Sequence, residues 1–333
     1  MTTVGWGIVG CGTIADHRIA PAIRGSDNGE LVAFCSRSLE RAAQFADRHG
    51  ASRGYDDLAD LIDDPDVQAV YVATPNANHA AETIALLAGG KHVLCDKPLA
   101  TSAEDADRMI AAAASADRLL GVAYQMRYLP ALAQLHELVH SGQFGNLLML
   151  RTSFAFVNPP RDAWRQNKAL AGGGPLMDLA PHSIDLMRWL AGEVVAVTAR
   201  VQNLRFHYPV EDTAGAVLQF DSGAIGLMDV GYCYNEGSLS LHGTAGSARL
   251  DGAFGQFVDW DLQVTLGGET TGQQGRAERA YIDQIEDFGE SVASEGSSAR
   301  PAPVGGIEGL RGLEVIEAIY ESSECGERVE LED

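Results

Sequence analysis

Short apolar runs alternate with helical patterns through the first third of the chain. Buried strands are predicted at Val4–Val9, Leu31–Cys35, Ala69–Ala73, Gly90–Cys95 and Leu119–Ala123. Helices are predicted between them, at residues 41–49, 57–62 and 80–87. Near-continuous apolar strands that alternate with helices are typical of a parallel sheet covered on both faces. We therefore predict a doubly wound parallel α/β domain over residues 1–123.

The alternation ends near Arg127, where a helix predicted at Pro130–His140 is followed by longer strand-like runs. These runs are 147–157, 194–206, 213–220, 224–232, 238–242, 248–250 and 258–266. Glycine-containing turns such as Asp221-Ser-Gly223 separate several of them, and two helical segments at 277–292 and 309–322 close the chain. The pattern predicts a second α+β domain over residues 124–333, built on a mainly antiparallel open sheet.

The composition of the chain limits the classes of function that it can have. The 333 residues include 24 Lys and Arg against 46 Asp and Glu, which gives a formal net charge of −22. Such a surface repels phosphate backbones, so we expect no nucleic-acid partner. No apolar run reaches the ~18 residues that span a bilayer, and no basic segment precedes the first strand, so we expect a cytoplasmic protein without membrane association. The five cysteines form no Cys-x-x-Cys pair, so we expect neither a disulfide nor a metal site.

A glycine-rich turn follows the first predicted strand. It reads Gly10-Cys-Gly12-Thr13-Ile14-Ala15, which is the pattern G-x-G-x-x-A between a strand and a helix. Gly10 permits a tight turn, Gly12 lets a pyrophosphate approach the backbone, and Ala15 allows close packing of helix on strand. The start of the helix adds free N–H groups and a positive dipole end. This context predicts a dinucleotide-binding Rossmann domain.

The end of the second predicted strand indicates which dinucleotide binds. An Asp or Glu usually stands there when the cofactor is NAD, because the carboxylate binds the ribose hydroxyls. Here the chain has Ser36 and Arg37 instead. A hydroxyl and a guanidinium suit a 2′-phosphate, so we predict NADP as the cofactor, with NAD as the alternative.

Further cofactor contacts are predicted in the loops that follow the later strands. Loops at the carboxyl ends of parallel strands line the ligand crevice of this kind of sheet. The predicted residues are Thr74, Pro75, Asn76, His79, Asp96, Lys97 and Gln125.

The second half carries one stretch with candidate chemistry. A glycine run, Gly172–Gly174, precedes Asp178 and His182, which are four residues apart and are predicted to share a helix face, with Asp185 one turn further on. A carboxylate beside an imidazole can perform acid/base work, because it orients the ring and stabilises its protonated form. The residues alone leave an alternative open, in which Asp178 caps a helix and His182 is a buried, hydrogen-bonded histidine.

Taken in order, these motifs resemble those of the glucose–fructose oxidoreductase, inositol dehydrogenase and rhizopine-catabolism (Gfo/Idh/MocA) family over nearly the whole chain. The motifs are 10–15, 36–38, 74–79, 90–99, 172–185, 210–213 and 281–288. The resemblance implies a Rossmann domain followed by a sheet that carries substrate and oligomer contacts. It implies that Lys97 is catalytic, in a motif whose first residue is here Asp96 where the family usually has Glu. Asp178 and His182 match the acid and histidine of its inositol-dehydrogenase-like branch.

The resemblance implies hydride transfer between a nicotinamide and a hydroxyl or carbonyl carbon of a sugar or cyclic polyol. The alternative is a non-catalytic, cofactor-binding sugar sensor of the same fold. Retention of Lys97, Asp178 and His182 favours the enzyme. The expected substrate residues are Tyr124, Arg127, Asn158, Trp164, Arg165, Asp178 and His182. A homodimer or homotetramer through the outer face of the second sheet is expected as well.

Overall fold

The computed structural model describes residues 2–161, 163–254, 259–294 and 300–331. The chain divides into two compact units. The first comprises Met1–Gln125 and Arg279–Leu310, and the second comprises Met126–Glu278 and Arg311–Asp333.

The first unit is built on a parallel sheet, which has six strands among the described residues. They are β1 (Val4–Val9), β2 (Gly29–Cys35), β3 (Arg53–Tyr55), β4 (Ala69–Val72), β5 (His92–Cys95) and β6 (Leu120–Val122). Their order, β3-β2-β1-β4-β5-β6, reverses direction between β1 and β4. This reversal opens the crevice at the carboxyl ends of the strands in doubly wound sheets. The predicted fold class is confirmed.

Helices cover this sheet, and hydroxyl or carboxylate caps fix where several of them begin. They are α1 (Ala20–Gly25), α2 (Leu39–His49), α3 (Leu58–Asp63), α4 (Asn76–Ala88), α5 (Ala103–Ala116) and, from the later part of the chain, α10 (Ala280–Ala293). Ser38, Asp57 and Ser102 accept a hydrogen bond from a backbone N–H in the first turn of α2, α3 and α5. These caps satisfy N–H groups that the helix itself leaves without an acceptor.

Helix α4 begins earlier than the sequence predicts. The prediction starts the helix at residue 80 and leaves Asn76 and His79 in the preceding loop, whereas the helix starts at Asn76. Pro75 at the N-cap has a φ of −60°, which leads into the first turn. The polar run from Asn76 to His79 has no apolar periodicity, so the pattern concealed this turn.

Helix α10 packs in the core of the first unit. The rings of Phe288 and Trp6 lie 5.7 Å apart, and Ile285 is fully buried in the same cluster. The Asn28 side chain donates to the Glu286 carbonyl at 2.8 Å. The division into units therefore differs from the predicted boundary at residue 123, because the segment 279–310 returns to the first unit.

The second unit contains a mixed sheet, which has nine strands in the ranges described. They are β7 (Leu147–Ala155), β8 (Val194–Gln202), β9 (Thr213–Phe220), β10 (Ile225–Gly231), β11 (Glu236–Gly243), β12 (Gly246–Asp251), β13 (Asp259–Leu266), β14 (Glu269–Arg276) and β15 (Val329–Glu330). Their order is β14-β13-β12-β11-β7-β10-β9-β8-β15. The pair β7 and β10 is parallel and the other neighbouring pairs are antiparallel, as the prediction of a mainly antiparallel sheet requires.

The sequence pattern did not predict two strands of this sheet, β14 and β15. Strand β14 is almost wholly exposed and polar, and β15 has only two residues, so neither shows an alternating pattern. The strand predicted at 258–266 is observed from Asp259, and residue 258 lies outside the described part of the chain.

The second unit also contains helices. They are α6 (Pro130–His140), α7 (Lys168–Ala171), α8 (Pro175–Asp178), α9 (Ala180–Ala191) and α11 (Gly306–Cys325), of which residues 311–325 belong to this unit. Of these, α8 and α9 contact the sheet, and α9 packs on β7 and β10. Within the described ranges, no helix has the length and apolar character needed to cross a bilayer.

Candidate active site

The glycine-rich turn after β1 leaves room beside its second glycine. Gly10 has a φ of +101°, and a Cβ at this position would lie 2.8 Å from the Ala73 carbonyl group, so only glycine fits without strain. Apart from its own chain neighbours, a Cβ on Gly12 would have no atom of the described residues within 4 Å. The glycine at position 12 therefore leaves an open approach to the backbone, which fits a dinucleotide pyrophosphate. Thr13 is exposed and Ile14 is half-buried in the same turn.

Two charged residues that the sequence analysis missed lie close to this turn. The Arg41 guanidinium donates to the Cys11 carbonyl through Nε at 2.8 Å and Nη2 at 2.6 Å. Glu82 accepts a hydrogen bond from the Thr74 hydroxyl at 2.5 Å. Burial raises the pKa of Glu82, and the Thr74 hydrogen bond and the charge of Arg37 oppose that rise. Arg37 itself is exposed after β2, beside the half-buried Ser36.

His79 lies inside the first unit and bridges two of the predicted cofactor loops. Its ring is fully buried, with Nδ1 2.9 Å from the Pro98 carbonyl oxygen and Nε2 2.9 Å from the Thr74 carbonyl oxygen. Burial lowers the pKa of His79, while Asp96 and the carbonyl groups favour its protonated form. The ring therefore links the backbone at Thr74 to the backbone at Pro98. Asn76, in the same helical turn as His79, is also buried.

The loop after β5 carries the predicted lysine. Lys97 is half-buried, and its peptide bond to Pro98 is cis. The Asp96 carboxylate accepts from the Lys97 backbone N–H at 3.0 Å and from the Tyr71 hydroxyl at 3.2 Å. Asp96 therefore fixes the backbone that presents Lys97.

The exit of β6 carries two further predicted residues. Tyr124 and Gln125 are both buried, with exposed fractions of 2% and 4%. They stand at the last positions of Met1–Gln125, so both belong to the first unit.

Asp178 and His182 do not share one helix, which corrects the prediction from their spacing. Asp178 ends α8 and His182 lies in the first turn of α9, and Leu179 stands between the two helices with φ of −105° and ψ of −41°, still in the right-handed helical region. Pro181 near the start of α9 has no backbone N–H, so α8 cannot continue through it with regular hydrogen bonds.

The Asp178 carboxylate is held from two sides within the second unit. The Tyr232 hydroxyl donates to Oδ2 at 2.8 Å, and the Arg165 Nε lies 3.4 Å from Oδ1. Burial and the charge of Asp178 raise the pKa of Tyr232, so Tyr232 stays a hydrogen-bond donor. Sequence reasoning missed Tyr232; the available signal was a tyrosine at the end of a buried strand, whose hydroxyl needs a partner.

Two further predicted substrate residues, Trp164 and Asn158, contact the partners of this carboxylate. The Arg165 guanidinium lies over the half-buried Trp164 ring, 4.4 Å from its centroid. Asn158 is buried, and its backbone N–H donates to the Tyr232 carbonyl oxygen at 3.0 Å. His182 is 3% exposed, and the Phe154 ring lies 6.3 Å from its ring.

Arg127 and Asp185 form an ion pair in the interior of the second unit. The Arg127 Nη2 lies 2.6 Å from Asp185 Oδ1, and Nε contacts both carboxylate oxygens at 3.1 Å. The exposed fractions of the two side chains are 13% and 1%, and the guanidinium also lies over the Trp189 ring. The Arg127 guanidinium is therefore held against the Asp185 carboxylate.

Among the described residues, no group of three or more His, Cys, Asp and Glu side chains has an arrangement suited to a metal ion.

Both parts of the chain match models of known protein families. Residues 4–124 match the model of an oxidoreductase family with an NAD-binding Rossmann fold, and residues 132–249 match the GFO/IDH/MocA C-terminal domain. The chain is 34% identical to a 1,5-anhydro-D-fructose reductase of Ensifer adhaerens over 73% of this chain and 74% of that one. It is 30% identical to a levoglucosan dehydrogenase of Pseudarthrobacter phenanthrenivorans over 84% and 76%.

A solved structure is also similar over almost the whole length. It is an aldose-aldose oxidoreductase from Caulobacter crescentus complexed with glycerol, with 32% identity and a TM-score of 0.92. The similarity covers 99% of this chain and 100% of that chain.

The interior ion pair generates a test of what Asp185 does. Asp185→Asn removes the carboxylate charge that faces the largely buried Arg127 guanidinium, so we expect a loss of about 3–5 kcal/mol in the free energy of unfolding. The double variant Arg127→Met/Asp185→Asn should recover much of that loss. Chemical denaturation measures both. Asp251→Asn is the matched control, because Asp251 pairs with Arg249 at an exposed site, where such pairs contribute about 0–1 kcal/mol. Equal losses in Asp185→Asn and the control would contradict the structural role.

Proposed function

The chain belongs to the Gfo/Idh/MocA family of oxidoreductases, and we propose that it transfers a hydride between NADP(H) and a hydroxyl- or carbonyl-bearing carbon of a sugar or cyclic polyol. The observation that carries this proposal is the Asp178 carboxylate, which Tyr232 and Arg165 hold in the same unit as the buried His182. A held carboxylate and an imidazole suit a substrate with several hydroxyl groups, because one can orient the substrate while the other moves a proton.

The first unit supports a nicotinamide dinucleotide as the cofactor. The open backbone at Gly12 would hold the pyrophosphate, and Ser36 and Arg37 would hold the 2′-phosphate. When bound, the cofactor supplies the hydride acceptor or donor. NADP is our proposal over NAD because the strand end offers a guanidinium where a ribose-binding carboxylate would otherwise stand.

In the proposed mechanism, side chains of this protein carry out the remaining steps of substrate oxidation. Neutral His182 takes the proton of the reacting hydroxyl as general base. The Lys97 ammonium donates a hydrogen bond to the same oxygen and stabilises its developing negative charge. Asp178 accepts a hydrogen bond from a neighbouring substrate hydroxyl, and Tyr232 and Arg165 keep its carboxylate in place for that contact.

Support for the substrate class comes from the relatives and from the polar groups around Asp178. The relatives are named for an anhydro-sugar reductase, a levoglucosan dehydrogenase and an aldose-aldose oxidoreductase. Trp164 and Arg165 beside Asp178 offer an apolar ring face and donors, which is the combination that a hydroxylated ring requires.

Cofactor preference is tested at Arg37. Arg37→Ala removes a charge-assisted hydrogen bond to the 2′-phosphate, so we expect NADP(H) affinity to fall by about 10- to 150-fold, or roughly 1.5–3 kcal/mol, with little change for NAD(H). Titration with each cofactor gives the Kd values. Arg108→Ala is the control, because Arg108 is an exposed arginine that pairs with Asp105 of its own helix. An unchanged NADP/NAD ratio in Arg37→Ala would overturn the assignment.

The proton-transfer step is tested at His182. His182→Ala should lose roughly 10²–10⁴-fold in kcat while it still binds cofactor, because general base catalysis contributes about that much. Turnover is followed by the absorbance of reduced nicotinamide with a panel of aldoses and polyols.

Lys97→Met should retain cofactor binding and lose turnover. Near-parental kcat in His182→Ala would place the base elsewhere, and cofactor binding without turnover by the parent would favour a sensor.

The outer face of the second sheet supports a homodimer or homotetramer. Val217 and Ile225, on the neighbouring strands β9 and β10, are 45% and 43% exposed. We expect the parent to scatter light as a dimer or tetramer at micromolar concentration, and Val217→Glu/Ile225→Glu to shift it toward the monomer, because burying the new charges is costly. Leu39→Glu, at an exposed leucine of the first unit, is the control. A monomeric parent at both low and high salt would contradict this proposal.

A further inference from the structure

A half-buried carboxylate of the second unit accepts three hydrogen bonds on a single oxygen. The Glu211 Oε1 accepts from the backbone N–H of Gly174 at 2.8 Å, from that of Leu176 at 3.1 Å, and from the Tyr320 hydroxyl at 3.0 Å. Gly174 and Leu176 lie at the start of α8, where backbone N–H groups have no acceptor within the helix. Burial raises the pKa of Glu211, and these donors oppose the rise because they favour the charged carboxylate.

The glycine run before α8 fits closely against the same two side chains. A Cβ at Gly174 would lie 2.0 Å from the Glu211 carbonyl oxygen, and a Cβ at Gly173 would lie 2.1 Å from the Tyr320 hydroxyl oxygen. Real Cβ atoms do not approach other atoms so closely, so a larger residue at either position would displace Glu211 or Tyr320. The chain therefore needs glycine at these positions for α8 to dock on Glu211.

Helix α8 transmits this anchoring to Asp178 because it is only one turn long. The Asp178 backbone N–H donates to the Gly174 carbonyl oxygen at 3.0 Å, so the residue that Glu211 holds is hydrogen-bonded to the residue at the other end of the turn. The Leu179 N–H donates to the Pro175 carbonyl oxygen at 2.8 Å, and the His182 N–H donates to the Leu179 carbonyl oxygen at 3.2 Å. A shift at Gly174 would therefore move the Asp178 carboxylate away from Tyr232 and Arg165.

We propose that Glu211 is a positioning residue of the reaction, which fixes α8 and thereby holds Asp178 where it meets the substrate, with Tyr320 orienting Glu211 in turn. This inference rests on the proposed function, because it assigns Glu211 a part in the same site. It goes beyond a role in folding, since a cap that merely stabilised α8 would change stability and leave kcat per folded molecule unaltered.

Three substitutions separate the contacts of Glu211. Glu211→Ala removes the acceptor, and we expect kcat to fall by roughly 10- to 100-fold, because a small misplacement of an orienting group has about that effect. Glu211→Gln keeps the acceptor oxygen, so its kcat should recover most of that loss, and Tyr320→Phe should show a smaller loss. Cofactor Kd should stay at the parental value in all three. Glu269→Ala is the control at an exposed glutamate of β14.

A double-mutant cycle with Asp178 decides whether Glu211 acts through it. In an Asp178→Asn background, Glu211→Ala should cause little further loss of kcat, because the group that it positions has already been altered. Independent, multiplicative losses would overturn the proposal. So would a parental kcat in Glu211→Ala together with a lowered Tm. If Glu211→Ala fails to fold, Tyr320→Phe carries the same cycle.

Hydrogen exchange provides a readout that needs no substrate. The backbone amides of Gly174 and of residues 176–178 should exchange faster in Glu211→Ala than in the parent and in Glu211→Gln. Unchanged exchange in Glu211→Ala would overturn the anchoring of α8 by Glu211. A parent that turns over no member of the sugar and polyol panel would overturn the proposed function instead, so the two failures are distinguishable.

Discussion

A backbone N–H group that is buried away from water needs a hydrogen-bond acceptor. In this protein, side-chain carboxylates are the acceptors in several irregular segments, including those that carry or precede candidate site residues. Asp96 accepts the N–H of Lys97, and Glu211 accepts those of Gly174 and Leu176. Asp212 accepts three N–H groups from the loop at residues 204–206, which together lower the pKa of its carboxyl to about 2 despite burial. These irregular segments are thus stabilised by charge-assisted hydrogen bonds to carboxylates, whereas helices and strands are stabilised by regular hydrogen bonds between backbone groups.

The sequence predicted those features of the fold that have a local signal. Apart from β3 (Arg53–Tyr55), which is polar, only half-buried and was not predicted, the strands of the first sheet are apolar and short. The alternating strands of the second sheet are long, so both sheets were predictable in type. The place of α10 was not, because the contact of Phe288 with Trp6 joins residues from opposite ends of the chain. Strands such as β14 also lack a signal, since an exposed edge strand can be polar on both faces.

The candidate site was predictable in its residue types and less so in its geometry. The spacing of Asp178 and His182 suggested one helix face, but Pro181 separates them into two helices. The partners of Asp178 come from distant segments, as Tyr232 ends a strand and Arg165 precedes α7. The ion pair of Arg127 with Asp185 likewise joins residues 58 positions apart, and no spacing rule connects them.

The fit of Gly173 and Gly174 against Tyr320 and Glu211 sets a limit on how this protein can diversify. A library that randomises the glycine run would return mostly molecules with a displaced α8, whatever the side chain gained. Trp164 and Arg165, in contrast, are part-exposed side chains beside the same carboxylate. Whether by natural drift or by directed evolution, substitutions at Trp164 and Arg165 are therefore easier to accommodate than substitutions at the glycines.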